Sequence, residues 1–260
     1  MKKLLFLGYN NKQTPLINFI KESYKKKYEV YDSNNPLKIN QIKDFNKIIC
    51  FGYKNIIDKN MIERFKGKII NLHIGYLPYN RGAHPNFWSF VENTPSGISI
   101  HEIDENVDTG KIIIQKKIDF DIYGFKKKYT FRNTYLTLIK EIEFLFKHHF
   151  VDIVENEFDS YDQIGRGTHH FKSQLPVYLK NWDQKIYPFI RKYDKLNKIQ
   201  TSQKLEIIDE IENTRKNNNV NWMNIVRLSL INSPEQTKNI LKKINFDDNK
   251  ISDLFKKLTK

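Results

Sequence analysis

The sequence predicts an α/β protein with a doubly wound, mostly parallel sheet and a small helical C-terminal extension. Over about the first 150 of 260 residues, apolar runs of strand length alternate with amphipathic runs of helix length, the pattern of parallel strands joined by crossover helices. A hydrophobic fraction of 39% is enough for a real core. Beyond about residue 200 the pattern becomes wholly helical. We therefore expect a domain at 1–200, with its α/β core at about 1–150, and a helical module at 201–260.

Each element follows from a local signal. Six apolar runs predict strands, namely "KKLLFLGY" (2–9), "YEVYD" (28–32), "NKIICFGY" (46–53), "GKIINLHI" (67–74), "SGISIHEID" (96–104) and "GKIIIQKKIDF" (110–120). Four amphipathic runs predict helices at 14–26, 58–66, 84–93 and 130–150. The first helix should start with Thr14 as N-cap and Pro15 as its first residue. In the tail, "SPEQTKNILKKI" (233–244) carries a capping box.

The cysteine content and the N-terminal sequence indicate the cellular compartment of the protein. The single Cys50 excludes a disulfide framework and a cysteine-based zinc site. The N-terminal "MKKLLFLGYNNK" resembles a signal peptide, but its apolar run of about six residues is shorter than a signal core requires. The sequence has no apolar stretch of 18 residues. We expect a cytoplasmic protein that does not bind a membrane.

The net charge of +14 has two interpretations. The positive charge could bind a nucleic acid or an anionic substrate. It could also be compositional, because Lys, Asn, Ile, Phe and Tyr are all over-used and the basic residues are spread along the chain. The second interpretation is favoured, so we expect no nucleic-acid partner.

The stretch "NLHIGYLPYNRGAHPNFW" (71–88) concentrates polar and aromatic residues directly after a predicted strand. Asn71 and His73 are two residues apart on that strand, so their side chains should project from one face. Another strand leads into "HEIDENVDTG" (101–110), whose carboxylates could orient an imidazole and raise its pKa. The Asn71 amide could then donate to a developing oxyanion. With no Ser or Cys nucleophile in the group, this chemistry suggests acyl transfer to a substrate amine.

The pattern resembles the folate-dependent formyltransferase family. The matching motifs lie between Gly8 and about Gln115: the Asn-x-His pair, "LPYNRG", "HPNFW" and "GISIHEIDENVDTGKII". The resemblance implies a Rossmann-like fold and transfer of a formyl group from N10-formyltetrahydrofolate to an amine. It implies catalytic roles for Asn71, His73 and Asp108, with His101 behind them.

The resemblance also implies where two ligands bind. The pterin is expected against Asn55, Ile56 and Ile57 in "YKNII", with Ile103 and Asp104 opposite. The turn "GYNNKQT" (8–14) falls on the family's anion-binding turn, because amides at a helix N-terminus favour phosphate. The aromatic-rich turn looks most like sugar N-formyltransferases that act on nucleotide-linked aminosugars for O-antigen and lipopolysaccharide synthesis. A thymine base and a pyrophosphate would suit five residues, namely Tyr9, Asn10, Lys12, Tyr79 and Arg81.

The expected substrate is dTDP-4-amino-4,6-dideoxyglucose, with the 3-amino isomer as competitor, and the family resemblance implies a homodimer. One rival function is that of methionyl-tRNA formyltransferase, for which the positive charge would contact RNA. Another is non-enzymatic: residues 201–260 could form an interaction module in which "NNNVNWMNIVRLSL" (217–230) seats a partner helix. We favour a different interpretation of 217–230, in which its apolar residues form a stripe that packs inside a three-helix unit. We expect no metal, because the histidines lack the usual ligand spacings.

Overall fold

A computed structural model describes residues 1–36, 44–120 and 128–258 of the chain. It divides into two compact units, Met1–Tyr193 and Asp194–Lys260. None of the described helices combines the length and the apolar composition needed to cross a bilayer.

The first unit is built on a six-stranded sheet in the order β2-β1-β3-β4-β6-β7. The strands are β1 (Lys2–Gly8), β2 (Tyr28–Ser33), β3 (Lys47–Phe51), β4 (Ile69–His73), β6 (Gly97–Glu102) and β7 (Ile112–Lys117). Strands β1 to β4 run parallel, whereas β6 is antiparallel to both β4 and β7. The predicted α/β class and mostly parallel sheet are confirmed.

Helices cover both faces of this sheet. In the first unit they are α1 (Leu16–Ser23), α2 (Lys59–Arg64), α3 (Pro85–Val91), α4 (Phe131–His148) and α5 (Phe150–Glu155). Because side chains alternate along a strand, Leu4 and Phe6 of β1 pack with α1, α3, α4 and α5, while Leu5 and Leu7 pack with Met61 of α2. The sheet is thus buried on both sides, as its nearly continuous apolar strands require.

The structure differs from the prediction at several element ends. Helix α1 begins at Leu16 with Pro15 as its N-cap residue, one residue later than expected. The Thr14 hydroxyl still accepts from the Leu16 amide at 3.4 Å. The predicted 130–150 helix stops at His148, and α5 follows it. A small second sheet pairs β5 (Arg81–Gly82) with β8 (His169–His170) in parallel, ahead of a short 3-10 helix at Lys172–Gln174.

The second unit is helical, as predicted. It contains most of α6 (Ile186–Asn232) and all of α7 (Pro234–Leu258). The prediction that the apolar stripe at 217–230 packs inside a three-helix unit is wrong, since Trp222, Met223 and Leu228 are exposed. The physical reason is that α6 continues through this stretch without a break, so the described part of the unit has only two helices and no third to cover the stripe.

Candidate active site

Strand β4 carries two of the predicted catalytic residues at its carboxyl end. Asn71 and His73 project from the same face, as their spacing requires. His101 of β6 lies directly opposite Asn71 in the antiparallel register, which brings Asn71 Nδ2 within 3.3 Å of His101 Nε2. His101 Nδ1 lies 2.7 Å from the Glu102 carbonyl, and because a carbonyl only accepts, this nitrogen carries the hydrogen.

Asp108 completes the cluster from the loop between β6 and β7. Its Oδ1 accepts from Asn71 Nδ2 at 3.1 Å, and its Oδ2 accepts from the Gly82 amide at 2.9 Å. Its Oδ2 also lies 3.5 Å from His73 Nδ1, and its Oδ1 lies 3.4 Å from His101 Nε2. One carboxylate therefore fixes the positions of both predicted catalytic groups on β4.

Burial and charge set the protonation of this cluster. Burial lowers the pKa of His73 below its ordinary 6.5, against the opposing effect of the Asp108 carboxylate and the Asn80 carbonyl. Burial alone would raise the pKa of Asp108, but His73, His101 and the Gly82 amide outweigh it and hold that pKa well below its ordinary value. At neutral pH the site therefore holds a neutral His73 next to an ionised Asp108. His73 Nε2 is buried and has no hydrogen-bond partner among the described residues.

The loop that presents Asp108 is folded by its own side chains. Asp104 Oδ1 accepts from the Asn106 amide at 3.1 Å and from the Thr109 hydroxyl at 2.6 Å. Asp108 itself adopts a left-handed backbone with φ 54°. At Gly110 a Cβ atom would lie 1.9 Å from the Glu102 carbonyl oxygen, so only glycine fits at the end of this turn.

A cavity of about 250 Å³, called here the loop cavity, lies on one side of the cluster. Asn71 and Asp108 are part of its wall. All five residues predicted to hold the pterin line it: Asn55, Ile56, Ile57, Ile103 and Asp104. The structure thus brings together two segments that are almost fifty residues apart in the sequence.

A larger cavity of about 710 Å³, called here the central cavity, adjoins the loop cavity, and the two share the wall residues Tyr53, Lys54, Asn71, Val107 and Asp108. His73, Asn71 and Asp108 line it, together with Tyr9, His84 and Lys172. It shares the wall residues Tyr9, Ile74, His84 and Pro85 with an aromatic cavity of about 450 Å³. Phe131, Arg132, Tyr135 and Trp182 contribute the rest of that aromatic wall, with Asn86 and Phe87. The Trp182 ring lies 5.2 Å from His84, centre to centre.

Of the five residues predicted to bind substrate, Tyr9 alone lines these cavities. Its hydroxyl is 2.8 Å from the Tyr135 hydroxyl. Asn10 and Lys12 are exposed in the turn after β1. Tyr79 is half-buried away from the cavities, and Arg81 donates through Nε and Nη2 to Gln163 Oε1 at 3.0 and 2.6 Å.

The amides of the predicted anion-binding turn are already bonded within the turn. The Lys12 amide donates to Asn10 Oδ1 at 2.9 Å, and those of Gln13 and Thr14 donate to the Asn10 carbonyl. The Asn10 amide donates to Gln13 Oε1. Anion binding by this turn stays a prediction that these contacts do not support, because a phosphate would have to displace them.

The catalytic cluster also has the chemistry of a metal site. His73, His101 and Asp108 each offer a ligand atom, and these atoms lie within 4.8 Å of one another. However, the Asn71 amide group bonds Asp108 Oδ1 and faces His101 Nε2. An N–H donor among the three ligand atoms suits the hydrogen-bonded cluster better than it suits a cation.

Sequence reasoning missed several residues that line or brace the site: His84, Arg132, Trp182, Lys172 and Gln163. The last three lie in the 156–185 stretch, which has no periodic pattern. His84 had a usable signal, because it directly precedes Pro85 at the start of a predicted helix. In the structure it is the N-cap residue of α3.

Comparison with known proteins gives a consistent result. A family model described as formyl transferase matches residues 6–132. Among solved structures, the formyltransferase PseJ from Anoxybacillus kamchatkensis is 34% identical, with a TM-score of 0.63. The match covers 71% of this chain and 95% of PseJ. PseJ was solved with UDP-4,6-dideoxy-4-formamido-L-AltNAc and tetrahydrofolate.

Two curated relatives match shorter stretches. A methionyl-tRNA formyltransferase from Finegoldia magna is 35% identical over 95 residues, which is 36% of this chain and 28% of that protein. A dTDP-4-amino-4,6-dideoxyglucose formyltransferase from Mycobacterium bovis is 42% identical over 50 residues, 19% of this chain and 21% of that protein. The matched stretches therefore span less than a third of each of these two relatives.

Proposed function

The chain belongs to the formyl transferase family, and we propose that it transfers a formyl group from N10-formyltetrahydrofolate to the amine of a nucleotide-linked 4-amino-4,6-dideoxysugar. The observation that carries this proposal is that the catalytic cluster lies where two cavities adjoin. Asn71 and Asp108 line both the loop cavity and the central cavity. A formyl donor in the first and an amine in the second would meet at these residues.

The loop cavity suits the folate. Its wall combines the aliphatic side chains of Ile56, Ile57 and Ile103 with the polar groups of Asn55 and Asp104. A flat heteroaromatic ring needs apolar contact on its faces and polar partners at its edge. PseJ, which holds tetrahydrofolate, supports folate as the donor here.

His73 is proposed as the base. The substrate amine attacks the formyl carbon, which forms a C–N bond and leaves an oxyanion and a positively charged nitrogen. A neutral His73, maintained by burial, can take the proton that this nitrogen must lose. When the C–N10 bond breaks, the proton passes to N10, so that the products are a formamide and tetrahydrofolate. Asp108 stabilises the charged imidazole in between.

Asn71 is proposed as the oxyanion partner. One of its amide hydrogens is held by Asp108 Oδ1 at 3.1 Å. The other faces His101 Nε2 at 3.3 Å, long for a hydrogen bond. A formyl oxygen at the cluster would compete for this second hydrogen as it gains negative charge.

The central and aromatic cavities suit a nucleotide sugar. The sugar amine would lie at His73, and the base would lie among His84, Trp182 and Tyr135. Three basic side chains line these two walls, namely Arg132, Lys172 and Lys54. Lys54 also lines the loop cavity, and Arg132 donates to Asp183 through Nε alone, which leaves its other N–H groups for a ligand. We therefore assign Arg132 and Lys172, rather than Lys12 and Arg81, to the pyrophosphate. Both PseJ and the Mycobacterium bovis relative are associated with 4,6-dideoxysugars carrying nitrogen at C4, which favours the 4-amine over the 3-amine.

The test is a substrate screen with N10-formyltetrahydrofolate and mass spectrometry of the products. The acceptors are dTDP-4-amino-4,6-dideoxyglucose, its 3-amino isomer, a UDP-linked 4-amino-4,6-dideoxysugar and initiator methionyl-tRNA. Formylation of a 4-amino nucleotide sugar, with loss of transfer in His73→Ala, is the expected result. Transfer to the tRNA alone would overturn the substrate class and leave the chemistry intact.

Transfer to methionyl-tRNA is the second candidate, and one observation favours it. The Finegoldia magna relative is a methionyl-tRNA formyltransferase and matches a longer stretch than the sugar enzyme does. Against it, PseJ is matched over 95% of its own length. A homodimer in the cytoplasm, acting in O-antigen or lipopolysaccharide synthesis, stays part of the proposal.

A further inference from the structure

The segment that follows α5 lies against the loop between β6 and β7. Tyr161 and Ile112 exchange two backbone hydrogen bonds of 2.8 and 2.9 Å at the start of β7. Further along, the Thr168 carbonyl accepts from the Arg81 amide at 2.9 Å. Between these two anchors the chain must pass the loop that carries Asp108.

Gln163 lies between the anchors, and its carboxamide uses its full bonding capacity. Nε2 donates to the backbone carbonyls of Asp108 at 2.9 Å and of Gly110 at 2.8 Å. Oε1 accepts twice from the Arg81 guanidinium, at 3.0 and 2.6 Å. A carboxamide has two N–H donors and two lone pairs on oxygen, so all four are engaged. We call Gln163, Arg81 and these two carbonyls the Gln163 clamp.

Asp108 needs such support because of its backbone. A non-glycine residue at φ 54° keeps that conformation only when its surroundings determine it. The clamp holds the carbonyl of Asp108, while the amide of Gly82, next to Arg81 in the chain, donates to Asp108 Oδ2 at 2.9 Å. Main chain and side chain of Asp108 are thus fixed by one connected set of groups.

We propose that Gln163 is a positioning residue which, together with Arg81, sets the distance between the Asp108 carboxylate and His73. The catalytic part of this inference rests on the proposed formyl transfer. Arg81 acts in it as a brace for Gln163 rather than as a phosphate ligand.

The inference predicts a specific change in the titration of His73. The charged and polar groups facing His73 are Asp108, His101 and the Asn80 carbonyl. Asp108 favours the protonated ring, whereas burial and His101 oppose it. If the clamp is lost and the carboxylate moves away, the pKa of His73 should fall, and the acidic limb of kcat/KM should move to lower pH.

Two variants test the clamp, one by removing both its donor and its acceptor contacts and one by removing only its donor contacts. Gln163→Met removes every polar contact of the side chain while keeping a side chain of similar length. Gln163→Glu keeps an acceptor for Arg81 but places a carboxylate oxygen next to the carbonyl oxygens of Asp108 and Gly110. We expect kcat to fall about tenfold in the first and at least as far in the second, because small displacements of catalytic groups are costly. KM for donor and acceptor should stay within about twofold. Gln174→Glu is the matched control, since this exposed glutamine accepts a backbone hydrogen bond through Oε1.

Arg81→Met tests whether the clamp acts as a unit. It should reproduce the Gln163→Met effect, and the double variant should be no worse than the more severe single variant. Additive losses, or a raised KM for the acceptor in Arg81→Met alone, would overturn the shared role. Thermal unfolding of each variant checks that the fold is retained.

A second readout does not need the reaction. Imidazole NMR titration of His73, assigned by the signal lost in His73→Asn, should show a lower pKa in Gln163→Met than in wild type or Gln174→Glu. An unchanged His73 titration overturns the inference even if kcat falls. Wild type that formylates no acceptor would defeat the proposed function alone, because the titration would still report whether the clamp positions Asp108.

Discussion

The two sides of the catalytic cluster are built in different ways. Most of the wall of the loop cavity comes from two short segments, 53–57 and 103–108, that follow β3 and β6, and Cys50, Ile62 and Asn71 complete it. The central and aromatic cavities draw on Tyr9, His84, Arg132, Lys172 and Trp182, which are spread over most of the first unit. The donor side is therefore built mainly from two loops, whereas the acceptor side depends on how distant segments pack.

This difference indicates that the residues of the acceptor side can change without changing the donor side. In a sheet of this kind, loops at the carboxyl ends of strands can vary without altering the strands. A folate site made from strand-end loops can stay constant while the 156–185 stretch is exchanged. The substitutions proposed below test this separation, because each should affect one side or the cluster between them.

Loss of the cluster itself should have the largest effect. His73→Ala or Asn71→Ala should lower turnover by at least ~10²-fold, since each removes a group needed only as the transition state develops. Binding of both substrates, measured by calorimetry, should be nearly unchanged. His148→Ala, an exposed histidine on α4, is the control. Turnover within a few-fold of wild type in either variant would remove the catalytic assignment.

Replacing the orienting carboxylate should also lower kcat by ~10²-fold or more, because the imidazole loses the group that fixes its tautomer and supports its charged form. Asp108→Asn keeps the shape but removes the charge that raises the pKa of His73. In wild type the acidic limb of kcat/KM should have its midpoint below 6.5, the ordinary pKa of histidine, since activity requires the neutral ring. In Asp108→Asn that midpoint should move lower still. A formyl group trapped covalently on Asp108 would instead show a two-step mechanism.

Part of the geometry of the cluster follows from secondary structure, whereas the choice of Asp108 and His101 came from the family resemblance. Strand periodicity puts Asn71 and His73 on one face, and the antiparallel pairing of β4 with β6 puts His101 beside them. The apolar runs likewise predicted every strand of the main sheet. These are short-range consequences of backbone regularity.

The same reasoning did not identify the residues that line the acceptor side, for a physical reason. Gln163, Lys172 and Trp182 lie in irregular chain, where no repeat tells which way a side chain points. Arg81 was predicted to bind phosphate because its side chain is positively charged. In the structure, however, its guanidinium donates two hydrogen bonds to the side-chain oxygen of Gln163. Which polar groups pair with which is decided by tertiary packing.

Cations on the acceptor side should have an intermediate effect. Lys172→Ala or Arg132→Met should raise KM for the nucleotide sugar about tenfold, since a charge-assisted hydrogen bond to phosphate contributes roughly 1.5 kcal/mol or more. KM for the folate should not change. Lys12→Ala, on the exposed turn after β1, should change either KM less than about twofold.

The salt dependence of the same variants separates the two substrate classes. Local pyrophosphate contacts give a modest loss of affinity with added salt, whereas an RNA substrate would give a steep loss spread over many lysines. If Lys12→Ala and Lys172→Ala have equal effects that vanish at high salt, the sugar nucleotide is the wrong substrate class.

The smallest effect is expected on the donor side, at Ile56. This isoleucine is 93% exposed although it lines the loop cavity, so a bound pterin is the group that would cover it. Truncation to alanine removes three carbons, each contributing up to about 0.8 kcal/mol if fully buried. Because a ligand covers only part of the side chain, Ile56→Ala should raise KM for the folate by roughly threefold to tenfold. KM for the nucleotide sugar should stay constant. Ile164→Ala is the matched control, since Ile164 is 86% exposed and does not line the cavity. An equal change in both variants would mean that Ile56 does not contact the folate, and a change in the sugar KM would mean that the two sides are not separate.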